Sequence, residues 1–169
     1  MEGTPEPAGV GPGLYKALLP HRNGSEETVW QESERLARYL LGQFSAGVEK
    51  VFLYTMHNAA GFTAGNGFTV LLAPDGTLHP AAASLAALAR AVDPLPFAEI
   101  SGDPGGRILR FAAADGSRAT EVFLAGRTAP DALPPDRDGY GGWRDLFGNS
   151  VDSVPRRGAT FFRETLAQP

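Results

Sequence analysis

The chain has 169 residues, the usual size of one domain, and its 15 Lys and Arg against 19 Asp and Glu give a net charge of -4. That balance leaves no basic footprint for nucleic acid and no polybasic signal for a membrane. The absence of cysteine excludes disulfides, thiolate catalysis and Cys-ligated zinc. Hydrophobic residues at 43% are enough for a core, whereas 21 Gly and 14 Pro predict many turns.

Residues 1–24 are rich in Pro and Gly around one short apolar patch at 14–19, the composition of an irregular loop. Residues 1–13 carry neither a cationic head nor an apolar stretch, so they do not read as a secretory signal. No run reaches the roughly 20 apolar residues that span a bilayer, and no membrane partner is expected.

The best-patterned stretch is 25–93. Ser25 suits a helix N-cap, with Glu26 and Glu27 at the positive end of the dipole. Val29, Ser33, Leu36, Leu40 and Phe44 then recur at helical spacing, widened by Trp30, Ala37 and Leu41, and Gly47 ends the helix. Glu26, Glu27, Glu32 and Glu34 are expected on its solvated face. Residues 48–56 (VEKVFLYTM) form a nearly continuous apolar and aromatic run, the pattern of a strand covered on both faces. A Gly- and Asn-rich loop at 57–67 and a Pro74-Asp75-Gly76 turn follow. Pro80 then opens a second helix reaching Val92, with Leu85, Leu88, Ala89 and Val92 as its expected buried face.

From Pro94 the texture becomes β. Apolar pieces at 108–114 and 120–124 flank Asp115-Gly116, a hairpin signal. Further pieces lie at 97–100, 143–147 and 159–166, with a Pro-rich loop at 127–142. The expected class is therefore α+β, in three parts: an irregular loop at 1–24, an α/β unit at 25–93 and a β domain at 94–169. A single buried strand cannot cover both of its faces, so 25–93 wants neighbouring strands.

The segments ERLARYLLGQFSAGVEKVFLYTMHN and TVLLAPDGTLHPAAASLAALARAV resemble the end of the barrel in retaining glycoside hydrolases of the large (β/α)8 superfamily. Asp145-Leu146-Phe147-Gly148-Asn149 resembles a turn in the small β-sandwich that follows such barrels. The resemblance implies an incomplete barrel remnant (helix, strand, helix) followed by a small antiparallel β-sandwich-like domain. Retaining glycosidases use two carboxyls about 5–5.5 Å apart. The family's acid/base belongs to the fourth strand, which has no counterpart here. Its nucleophile ends the seventh strand, and the resemblance places Met1-Glu2-Gly3 at that tail, with Glu2 in the nucleophile position. Tyr54, His57 and Asn58 fall where the eighth strand meets its loop. There an aromatic stacks on sugar rings and His or Asn bonds hydroxyls, so carbohydrate is the implied partner.

The expected function is the C-terminal part of a glycoside hydrolase-like protein, inactive by itself. A carbohydrate-associated β module, or a non-catalytic protein completing a barrel with another chain, are the alternatives. His21, His57 and His79 lie far apart, and Asp131, Asp136 and Asp138 fit no calcium-loop spacing. The Gly-rich pieces at 61–67 and 102–106 lack the Lys-Ser/Thr of a phosphate loop. No metal, cofactor or nucleotide is therefore expected.

Overall fold

The computed structural model describes residues 26–52, 71, 78, 80–103, 105–126, 132–154 and 159–166. Helix α1 spans Glu26–Ser45. Its expected stripe packs inward, with Ser33, Leu36, Ala37, Leu40 and Leu41 all buried. The helix ends where the Gly47 N–H bonds to Phe44 O and the Val48 N–H reaches back to Gln43 O, both at 3.1 Å. This is a Schellman closure, and it needs the positive φ of +88° that Gly47 supplies.

Glu34 departs from expectation. It is buried rather than solvated, because it lies on the side of α1 turned to the sheet and finds a partner there. The segment 48–52 also differs from the expected strand. Its described residues make no ladder, Val51 is half-buried and Phe52 is 89% exposed. A strand exists through its neighbours, and none of the described residues pairs with this segment. Residues 53–56 lie outside the described residues.

Helix α2 spans Pro80–Val92 and buries Ala81, Ser84, Leu88, Ala91 and Val92. Its inner face is rotated from the expected one. Ala89 is exposed and Leu85 half-buried, because the helix contacts both α1 and the sheet. Ala81, with half-buried Ala82 and Leu85, meets Leu36 and Leu40 of α1, the small side chains bringing the two helices close.

Five strands follow: β1 (Phe97–Asp103), β2 (Gly106–Ala112), β3 (Ala119–Ala125), β4 (Arg144–Asp145) and β5 (Thr160–Glu164). They form one antiparallel sheet in the order β1-β2-β3-β5-β4. The expected hairpin joins β2 to β3. Asp115 Oδ1 accepts the Ser117 N–H at 3.0 Å and its hydroxyl at 2.7 Å, and Gly116 takes a φ of +73°. Both Ser117 bonds hold the exposed Asp115 carboxyl below the ordinary carboxylate range.

Alternation along the strands splits their side chains between two faces. Leu109, Phe111, Val122 and Phe162 pack with Ala37, Leu41, Leu88, Ala91 and Val92 of the helices. Phe123, Ala125 and Phe161 face the other way, onto Trp143, Val154 and Ala159, with Leu133 and Val151 at the margin. Among the described residues there is thus one sheet, not the two facing sheets of a sandwich. The helices take one face, and the loops around β4 cover the other.

Candidate functional site

Glu2, Tyr54, His57 and Asn58 all lie outside the described residues. From the end of α1 the chain runs through Val48 and Val51 along one wall of an open cleft of about 710 Å³. Leu85 and Leu88 of α2 form a second wall, and Leu95, Phe97 and Phe111 the floor. Its acidic residues are Glu49 and Asp93. Among the described residues the lining is mainly apolar, without the convergent polar groups that orient a sugar.

The most elaborate polar arrangement lies on the loop-covered face. Strand register aligns Glu99, Arg110, Glu121 and Arg163 in one row across β1, β2, β3 and β5. The signs alternate, and neighbours attract. At the exposed end Arg110 stands 3.7 Å from Glu99. Tyr140, as a hydrogen-bond partner, is the first cause holding Arg110 above the usual arginine range, and Glu99 and Glu121 add to it. At the buried end Glu121 Oε2 accepts Arg163 Nε at 2.9 Å and Nη2 at 2.8 Å, while Oε1 accepts Arg137 Nη1 at 2.5 Å. The Arg163 guanidinium also donates to Pro135 O at 2.9 Å and lies 4.3 Å over the Trp143 ring. Both carboxylate oxygens of Glu121 are therefore engaged. A carboxylate so held acts as an anchor for the 132–143 loop rather than as an acid, base or nucleophile.

Glu34 is a second buried carboxyl with a described partner set. Its Oε1 accepts the Thr160 N–H at 2.8 Å and its Oε2 the Thr160 hydroxyl at 2.6 Å. Arg38, one turn on, places Nε 3.7 Å from Glu34 and donates through Nη2 to Ala125 O and Ala159 O at 2.8 and 3.0 Å. Burial pushes the Glu34 carboxyl up, against the lowering effect of Thr160 and Arg38. The pair pins α1 to the ends of β3 and β5.

Sequence reasoning missed both arrangements. Their signal was present, as a lone charge within an otherwise apolar strand: Glu121 in ATEVFLA and Arg163 in TFFRE. A charge there is buried only where it has a partner, and each is the other's partner. Among the described residues no group of three or more His, Asp or Glu gathers to hold a metal. Asp136 and Asp138 are exposed, and Asp131 and the three histidines lie outside the described residues.

No protein-family model matches the chain, and no curated protein matches it. Among solved structures it is similar to a family 39 glycoside hydrolase from the gut symbiont Bacteroides cellulosilyticus WH2. The identity is 16% and the TM-score 0.55, over 83% of this chain and 31% of that one. The chain thus spans about a third of the length of that structure, and the likeness is one of fold.

Proposed function

We propose that this chain is the C-terminal part of a glycoside hydrolase-like protein, with 25–93 as the last α/β unit of a (β/α)8 barrel and 94–169 as the accessory β domain behind it. The fold likeness to a family 39 glycoside hydrolase over most of this chain carries the reading. The sequence order agrees with it: helix, apolar run, loop and helix, then strands with an Asp-Leu-Phe-Gly-Asn turn. In that turn Asp145 Oδ1 accepts the N–H groups of Phe147 and Asn149 at 2.8 and 2.9 Å, which fixes its shape.

In this reading the parent activity is hydrolysis of a glycosidic bond with retention, through two carboxyls. Glu2 occupies the nucleophile position, Tyr54 stacks on a sugar ring, and His57 and Asn58 bond its hydroxyls. The chain alone does not turn over substrate. The three buried described carboxyls, Glu34, Glu121 and Asp145, are committed to Thr160, to Arg163 and to the 147–149 turn, and none supplies the missing acid/base.

The test is a panel of nitrophenyl glycosides with the purified chain, followed by calorimetric titration with the corresponding free sugars. No turnover is expected, with weak sugar binding that Tyr54→Ala abolishes. Turnover lost in Glu2→Gln overturns the inactivity; sugar binding indifferent to Tyr54→Ala overturns the barrel-mouth assignment. A second reading, completion of a barrel by another polypeptide, is favoured by one observation. Phe52, a large apolar side chain, stands 89% exposed just after α1.

A further inference from the structure

Strand β1 is the outer strand of the sheet, so one side of its backbone has no described strand partner. Such edges template pairing with another chain unless they carry charged side chains, Pro, a covering element or a bulge. The β1 sequence, FAEISGD, holds neither Lys nor Pro, and the charge of Glu99 is met by Arg110 at 3.7 Å. Its one irregularity lies between Phe97 and Glu99, leaving 99–103 in regular register with β2. Ala98, Glu99, Ile100, Ser101 and Gly102 are all exposed, and Ile100 shows 51% of its surface.

Register decides which partner fits. The Asp103↔Gly106 pair closes a two-residue connection, and antiparallel bonding alternates from there. The backbone groups of Ser101 and Glu99 therefore turn toward β2, and those of Gly102 and Ile100 turn outward. A strand pairing with this edge must offer outward groups with the same spacing of two. Strand β1 itself does so when run antiparallel about a two-fold axis at Ile100, which sets Ile100 against its own copy and Glu99 against Ser101.

Charge suits the same register. Glu99 then lies opposite Ser101 of the second copy rather than opposite another Glu99, and each Glu99 keeps Arg110 beside it at 3.7 Å. The two Ile100 side chains meet on the helix-bearing face, where Ile100 pairs with Leu109 and the apolar cleft begins at Phe97.

We propose that β1 is a self-association edge, pairing antiparallel with β1 of a second copy of this chain across a two-fold axis at Ile100 and joining the two described sheets into one. The contact is isologous, so it closes as a dimer and does not propagate. This goes beyond the glycoside hydrolase reading and does not depend on it.

Sedimentation velocity on the full chain from about 1 to 100 μM tests the proposal, with circular dichroism confirming the fold of each variant. A concentration-dependent dimer is expected. Ile100→Lys sets two ammonium groups together on the axis and should leave a monomer with an unchanged spectrum. Ser101→Glu places a carboxylate opposite each Glu99 and should raise the dimer dissociation constant roughly five- to tenfold, whereas Ser101→Lys should lower it. A monomer at every concentration overturns the proposal. So does a dimer that ignores Ile100→Lys, or one that Ser101→Glu and Ser101→Lys shift in the same direction.

Discussion

At the scale of single residues, the buried pair Glu121 and Arg163 is where the sheet is most exposed to damage. Arg163 is 3% accessible and Glu121 2%, so removing Glu121 leaves the Arg163 cation uncompensated against the Trp143 ring, whereas removing Arg163 leaves Glu121 its second partner, Arg137. Glu121→Leu should therefore cost about 3–5 kcal/mol in urea unfolding, and Arg163→Met less. Glu121→Leu combined with Arg163→Met should cost clearly less than the two single changes added, since the double variant leaves no orphan. Glu34 gives a test in pH. Its folded carboxyl is raised above the unfolded value by burial, so the native state binds the proton more tightly. That contribution is fully present below the unfolded pKa and is lost as pH rises through the folded one. Melting wild type and Glu34→Gln between pH 4 and pH 7 should therefore show the wild type losing ground to the variant as pH rises. The Glu121–Arg163 pair left a trace in the strand pattern, whereas Glu34 left none in the helix pattern. Burial of Glu34 is decided by Thr160, 126 residues away, and periodicity along α1 contains no information about that distance.

At the scale of elements, what was legible was what is locally determined. The α1 stripe, the Gly47 stop, the Pro80 start and the Asp115-Gly116 hairpin all rest on chemistry within a few residues, and all form as expected. The strand expected at 48–56, whose described residues 48–52 make no ladder, and the sandwich, of which one sheet is seen among the described residues, differ for the converse reason. An apolar run states that a segment is to be covered and is silent about by what. The candidate site fared differently, because Glu2, Tyr54, His57 and Asn58 lie outside the described residues. Two junctions between elements invite measurement. The C-terminus of α2 is capped from a distance: Arg118 Nη2 donates to Arg90 O at 2.8 Å and Ala91 O at 3.2 Å, and the Thr120 hydroxyl donates to Ala91 O at 2.5 Å. A cation and donor there meets the negative end of the helix dipole, so Arg118→Ala should lower stability by about 1 kcal/mol in urea. At the start of β2, a Cβ on Gly106 would run into the Leu124 carbonyl of β3. That neighbour is backbone and cannot step aside, so Gly106→Ala should cost roughly 1–3 kcal/mol by the same assay.

At the scale of the whole molecule, the helices and the sheet share one core, in which Leu41 and Leu88 meet Leu109, Val122 and Phe162. Trp30 of α1 also touches Phe147 in the turn after β4, with ring centroids 5.1 Å apart. Leu88→Ala should therefore destabilise the molecule by about 2–5 kcal/mol. In a Trp30→Phe background, helix ellipticity and Trp143 fluorescence should lose their signals at the same midpoint, although Trp143 sits on the opposite face of the sheet. Separate midpoints would mean that the two halves fold on their own. The anchoring of α1 by Thr160 also fixes a timetable during synthesis. The ribosome adds about 5–20 residues per second, and 126 residues separate Glu34 from its partner. The inner face of α1 consequently spends on the order of 6–25 s in the cell before the strand that completes its docking has been made. During that interval its leucines are open to chaperones, and a ribosome stalled before β5 would leave them open to aggregation.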